Sequence, residues 1–255
     1  MSAGKRSIVF CATQRTGSAV ITDDLSNVCG AESFNSEMLY GELLRGDVRL
    51  PWDEVWKIAK ARCKVRGYTV SKVMFHYVPY LATVIAGGTL DKTPPIYKFS
   101  PARCDAFHEF FRDSLWVHIH RQDIFSQAVS MYFAQMTKRW EIRPWREEDT
   151  APREIPWIPY DRPRLMRLVH AFALENAGWE SFFTHYGIEP IRVEYEDALG
   201  NYPTYLDEVL ARMRVKQAKA PPRRMIKLGD ATNLRYANAL RRDVLDHPIL
   251  RSMVA

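Results

Sequence analysis

The stretch from Ser7 to Val28 does most to limit the folds open to this chain. Ser7-Ile8-Val9-Phe10-Cys11 is a short apolar run that ends in a polar, glycine-containing turn, and from Ala19 onward Ile21, Leu25 and Val28 recur at helical spacing. This pattern reads as strand, tight loop, helix. Val70 to Phe75, Leu115 to His120 and Ile191 to Tyr195 are further short runs rich in β-branched or aromatic residues, and each predicts a strand. Between them lie helical patterns. Asp123 to Lys138 gathers Ile124, Ala128, Val129, Tyr132, Phe133 and Met136 on one face, and Leu206, Val209, Leu210 and Met213 repeat one turn apart. Strands that alternate with helices predict an α/β fold in three layers, a mostly parallel central sheet with helices on both faces.

A chain of 255 residues buries enough surface to form one domain without a metal or disulfide staple. Cys11, Cys29, Cys63 and Cys104 stand 18, 34 and 41 residues apart, too far for a zinc or redox pair, so a reduced, cytoplasmic protein is expected. The apolar run near the N-terminus stops at Ala12, short of a signal core, and Val78 to Ala86 is far too short to span a bilayer. Five prolines between Pro144 and Pro163, with Trp145, Trp157 and Tyr160, read as a loop or lid over 143–163 or as a rigid surface connector.

Charge is concentrated in one place. Residues 212–242 carry ten Lys and Arg against the single acid Asp230, a net +9, while the rest of the chain sums to −3. Such a segment attracts an anion such as a nucleotide, a nucleic acid, an acidic lipid or a polyanionic sugar, or else serves as a solvated basic face.

The loop Thr13-Gln14-Arg15-Thr16-Gly17-Ser18 has the chemistry of a phosphate cradle. Gly17 lets backbone approach a ligand, the first helical turn presents free N–H groups, Thr16 and Ser18 add hydroxyls, and Arg15 adds a fixed cation. The Gly-Lys-[Ser/Thr] ending that holds Mg²⁺ in nucleoside triphosphatases is absent. A second anion site is expected at Arg121, where a strand ends, with Ser126 or Ser130 on the following helix. Lys72 is either a strand-end lysine or an active-site cation. His118 and His120 read as core or supporting histidines, with a catalytic base as the alternative. Trp140, Trp145, Trp157 and Tyr160 suit a sugar ring, their own domain or a partner subunit.

The cradle, the segment His118-Ile119-His120-Arg121-Gln122-Asp123-Ile124-Phe125-Ser126-Gln127-Ala128-Val129-Ser130, and Ala177-Gly178-Trp179 with Pro190 to Tyr195 downstream resemble the bacterial carbohydrate sulfotransferases typified by the mycobacterial trehalose enzyme. The resemblance implies a P-loop-like α/β fold that moves a sulfuryl group from 3′-phosphoadenosine 5′-phosphosulfate (PAPS) to a hydroxyl of a sugar, glycolipid or polysaccharide, releasing adenosine 3′,5′-bisphosphate. It implies that Gln14, Arg15, Thr16, Gly17 and Ser18 hold the phosphosulfate and that Arg121 with Ser130, or with Ser126, holds the 3′-phosphate. It places the general base at Glu37, although Asn35 stands where the family has proline, and a C-terminal cation at Lys227. Glu32 is a rival base. No metal, nucleic acid or membrane span is expected, and homodimer formation stays open. A metal-dependent kinase and a non-enzymatic nucleic-acid-binding protein remain as alternatives.

Overall fold

The computed structural model describes residues 6–32, 39, 50–89, 98–140, 157–216, 220–225 and 231–245. Its centre is β1 (Ser7–Ala12), flanked by β3 (Tyr68–Met74) and β4 (Leu115–His120). Both neighbours run parallel to it, and β5 (Ile191–Glu194) adds in parallel beyond β4. The short β2 (Lys64–Val65) closes the other edge by pairing antiparallel with β3. Its turn is Arg66-Gly67, both at positive φ, the two-residue geometry whose twist suits a hairpin. The predicted parallel sheet is therefore present, with one antiparallel edge that two residues were too few to announce.

Every residue from Ile8 to Ala12 is fully buried, as a strand covered on both faces requires. Ile8, Phe10 and Ala12 pack with Val70, Met74, Val117 and Ile119 beneath α1 (Ser18–Val28) and α8 (Asp207–Arg212). Val9 and Cys11 face the other way, into an aromatic cluster formed with α2 (Trp52–Arg62), α3 (Val78–Ile85), α4 (Asp105–Phe111) and α6 (Arg162–Tyr186). A third cluster joins α5 (Ile124–Thr137), α6 and α9 (Ala231–Leu245) through Ala128, Val129, Tyr132, Leu165, Phe172, Tyr236 and Leu240.

Several predicted boundaries move by a residue. Asp123 is the cap of α5 rather than its first residue, and its carboxylate accepts from the Ser126 N–H at 3.0 Å. Phe75 opens a 3₁₀ turn instead of closing β3, and Tyr195 begins α7 (Tyr195–Gly200). The 25-residue α6 starts with Pro163 in its first turn, where the missing N–H costs nothing, so the last of the five prolines starts a helix. The loop before it packs on the domain at its described end. Tyr132 donates to the Pro159 carbonyl at 2.7 Å and Tyr160 to Asp243 at 2.6 Å, while Trp157 is exposed. Residues 141–156, including Pro144 and Trp145, lie outside the described residues.

Helix α6 fixes the end of the central strand. Trp179, fully buried, donates its indole N–H to the Ala12 carbonyl at 2.8 Å, and its ring stands 5.4 Å from that of Phe75. Gly178 makes this approach possible, since a Cβ there would lie 2.3 Å from the Phe75 ring. Gly178→Ala is therefore expected to force the helix off the sheet and destabilise the fold by about 1–3 kcal/mol in urea unfolding. Unchanged stability would show that the helix shifts without loss.

Candidate active site

In a parallel sheet the strand ends line one edge, and here β1 and β4 deliver the cradle and Arg121 side by side. After Ala12 the chain turns sharply. Arg15 (φ +64°) and Gly17 (φ +74°) both adopt left-handed conformations, and Thr16 donates its hydroxyl to the Thr13 carbonyl at 2.8 Å. Gly17 caps α1 with no side-chain hydrogen bond, and the first turn carries no acid. The opening N–H groups of the helix thus keep their affinity for an anion. A side chain at Gly17 would strike Tyr195, because a Cβ there would lie 2.3 Å from a carbon of that ring, so the glycine is demanded by both its φ and its neighbour.

Arg121 leaves the end of β4 and donates to the Arg15 carbonyl at 3.1 Å, its guanidinium 4.5 Å from the Tyr195 ring centre. Its buried Nε has no hydrogen-bond partner among the described residues. Arg15 reaches across to α5, where its Nε donates to Ser130 Oγ at 3.0 Å and its terminal nitrogen to the Trp140 carbonyl. Two arginines and a serine therefore form one cluster with the cradle. Ser126 is engaged differently, its hydroxyl bonded to its own cap Asp123 at 2.5 Å, and Asp123 in turn receives Arg241 at 2.9 Å. Of the two serines, only Ser130 adjoins the cradle arginine.

Glu37 and Lys227 lie outside the described residues. Glu32 is exposed just past α1. Lys72 is buried in β3 beside Phe10 of the central strand, on the face that packs beneath α1. Within the basic segment Arg212, Arg214, Lys216, Arg235 and Arg242 are exposed, as a solvated basic face expects, whereas Arg223, Arg224 and Arg241 are held by acids of other elements. Arg223 grips Asp24 of α1 through Nε at 3.0 and 3.1 Å, Arg224 bonds Asp23 at 3.1 Å, and Arg212 meets Glu208 at 3.5 Å. Burial pushes the Asp24 carboxyl up, and its bonds to Arg223 and Tyr205 pull the other way.

Three contributors escaped sequence reading. Trp179 and Tyr195 fall in the family-like segments, where nothing in the pattern gave them a role. Gln127, fully buried on α5, donates to Thr13 Oγ1 and to the Gln14 carbonyl, each at 2.6 Å, and no periodicity marks it.

His118 is a buried core residue, one of the readings its sequence context left open. It is buried against Phe183, with Arg192 donating to its Nδ1 at 3.2 Å and Glu180 gripped by the same arginine. Burial, offset in part by the Glu180 charge, holds its pKa down to about 4.

Taken together, the helix start without a side-chain cap and the two arginines gather donors at one edge of the α/β sheet, an arrangement suited to an anion. The chain belongs to the Stf0 sulphotransferase family, whose model matches residues 49–243. It is similar to the trehalose 2-sulfotransferase of Mycolicibacterium smegmatis, 28% identical over 131 residues, which make up 51% of this chain and 47% of that protein. The Mycobacterium tuberculosis (strain Erdman) protein of the same name is also 28% identical, over 98 residues, 38% of this chain and 34% of the relative. The chain thus aligns with about half the length of these relatives or less. Among solved structures it is similar to the sulfotransferase domain of the Synechococcus PCC 7002 olefin synthase, with TM-score 0.45 and 14% identity over 93% of this chain and 88% of that one. The corresponding domain of the curacin biosynthetic pathway gives TM-score 0.41 and 15% identity, covering 89% and 81%.

The His118 environment makes a prediction about pH. A histidine kept neutral in the fold, with a pKa of about 4 against 6.5 when exposed, binds its proton more readily in the unfolded chain. Its contribution is complete above 6.5 and is lost as pH falls towards 4, up to about 3 kcal/mol. His118→Asn should flatten the decline in unfolding free energy between pH 7 and 5, and an unaltered slope would assign the decline elsewhere.

Proposed function

We propose that the chain is a sulfotransferase that carries the sulfuryl group of PAPS to a carbohydrate hydroxyl, with a trehalose-like sugar as the acceptor class. The observation that carries this reading is the convergence of Arg15, Arg121 and Ser130 on an uncapped helix start in a member of the Stf0 family. PAPS bears a phosphosulfate at one end and a phosphate at the other, so it needs adjacent donor-rich sites. The Arg121 Nε, without a hydrogen-bond partner among the described residues, and the cradle N–H groups supply donors of that kind.

In this reading the main chain of Gln14, Arg15, Thr16, Gly17 and Ser18, with the Ser18 hydroxyl, holds the phosphosulfate, while Arg121 and Ser130 hold the 3′-phosphate; the Thr16 hydroxyl shapes the loop by donating to the Thr13 carbonyl. Arg15 lies between the two sites, its backbone in the cradle and its guanidinium on Ser130. The new bond joins the sugar oxygen to sulfur, and the bond from sulfur to the bridging oxygen of the phosphate breaks. The hydroxyl proton passes to the Glu37 carboxylate, and adenosine 3′,5′-bisphosphate departs with its electron pair. Arg15 and Lys227 offset the charge that grows on the bridging oxygen. Sulfuryl transfer resembles phosphoryl transfer in needing alignment and electrostatic stabilisation above all, with one less negative charge on the moving group.

Two measurements test the reading. Calorimetric titration with adenosine 3′,5′-bisphosphate in EDTA should show binding, and Arg121→Ala should weaken it by about 2–5 kcal/mol. Binding only when Mg²⁺ is restored would move the chain to a metal-dependent phosphotransferase. Glu37→Gln should lower turnover with PAPS and trehalose by roughly 10²–10⁴ while leaving nucleotide affinity intact. Near-normal turnover would remove Glu37 as the base.

A further inference from the structure

We propose that Gln127 is a positioning residue, one that sets which way the peptide groups of the cradle face and so makes the loop an anion receptor before any ligand arrives. The argument begins with its amide. The Gln14 carbonyl can only accept, so the group 2.6 Å from it must be the Gln127 NH₂, and the same nitrogen reaches Thr13 Oγ1. This orientation leaves the buried Oε1 with no hydrogen-bond partner among the described residues. A position that needed only filling would be served by an apolar side chain of the same length. The amide is therefore explained by what its nitrogen holds.

What it holds decides polarity. A peptide unit is planar and trans, so its C=O and N–H point in opposite directions. Drawing the Gln14 carbonyl towards α5 turns the N–H of Arg15 away from α5, to the open side of the loop. Arg121 does the same for the next unit by holding the Arg15 carbonyl at 3.1 Å, which turns the N–H of Thr16 outward. Consecutive N–H groups aimed at one place form an anion-binding nest, and the left-handed Arg15 between them is the conformation such a nest requires. That conformation is unfavourable for a side chain with a Cβ and persists only where its surroundings impose it. Gln127 imposes it from one side and Arg121 from the other.

The proposal rests on the nucleotide reading only for the identity of the anion, and its test separates the two. Gln127→Glu keeps the shape but sets a carboxylate against the Gln14 carbonyl. Gln127→Met removes the donors without repulsion. Hydrogen exchange at amides 14–18, measured without ligand, should quicken in both variants while the rest of α5 keeps its protection. Affinity for adenosine 3′,5′-bisphosphate should fall by about tenfold in Gln127→Met and about a hundredfold in Gln127→Glu, with KM for the sugar unchanged. Wild-type exchange together with wild-type affinity in a folded Gln127→Glu would overturn the assignment. If that variant does not fold, Gln127→Met decides by the same two readings. Failure of the wild-type protein to bind the nucleotide would reject the nucleotide reading, and the exchange data would still decide the role of Gln127.

Discussion

One hydrogen bond, from the Trp179 indole to the carbonyl of Ala12, sets the point at which the central strand stops and the cradle begins. Everything at the site is measured from that point. The strand is buried throughout, so it has no freedom to slide, and α6 crosses its end closely because residue 178 has no side chain. From there the loop has room only to turn. It enters left-handed geometry at Arg15 and again at Gly17, and α1 begins without a side-chain cap. Helix α5 grips the loop from the far side through Gln127 and Ser130, one turn apart on a single face. The site is thus a loop clamped between two helices that are far from it in sequence.

The electrostatics follow the same plan. An anion site needs local positive charge that is not cancelled, and the first turn of α1 carries no acid. The acids of that helix sit further along, at Asp23 and Asp24, where Arg224 and Arg223 neutralise them. Both carboxylates are buried, so the pairs act as internal fasteners and contribute little to the field at the cradle. The basicity of residues 212–242 is real in the composition, yet three of its arginines are engaged by acids from other elements, Asp23, Asp24 and Asp123. A charge count along the chain has no means of seeing partners that lie so far away in sequence.

That contrast marks how much was legible in the sequence. Local features were readable because local physics produces them. The strand before the cradle, the helix after it, α5 and the strand leading to Arg121 each announce themselves through periodicity and punctuation, and they sit within a residue or two of expectation. Helix α6 was hidden, since a proline-rich approach and apolar residues on several sides blur its period, and the two-residue β2 carries too few positions for any pattern. The choice between Ser126 and Ser130 as the cradle's neighbour depended on Asp123 capturing the first, which spacing alone leaves undecided. Gln127 looked like any polar helical residue, and only its contacts with Thr13 and Gln14 set it apart.

The clasp between α1 and residues 223–224 has a consequence for how the chain reaches this state. Arg223 and Asp24 are 199 residues apart, so a polypeptide emerging from the ribosome completes its cradle helix long before the arginines exist. Until they arrive, Asp23 and Asp24 have none of these partners, and a helix that would bury them pays for two uncompensated charges. The pairing of these two acids therefore has to wait until residues 223 and 224 have been made. A chain that stops before residue 223 keeps the cradle sequence but lacks the two arginines that pair with Asp23 and Asp24 on the helix behind it.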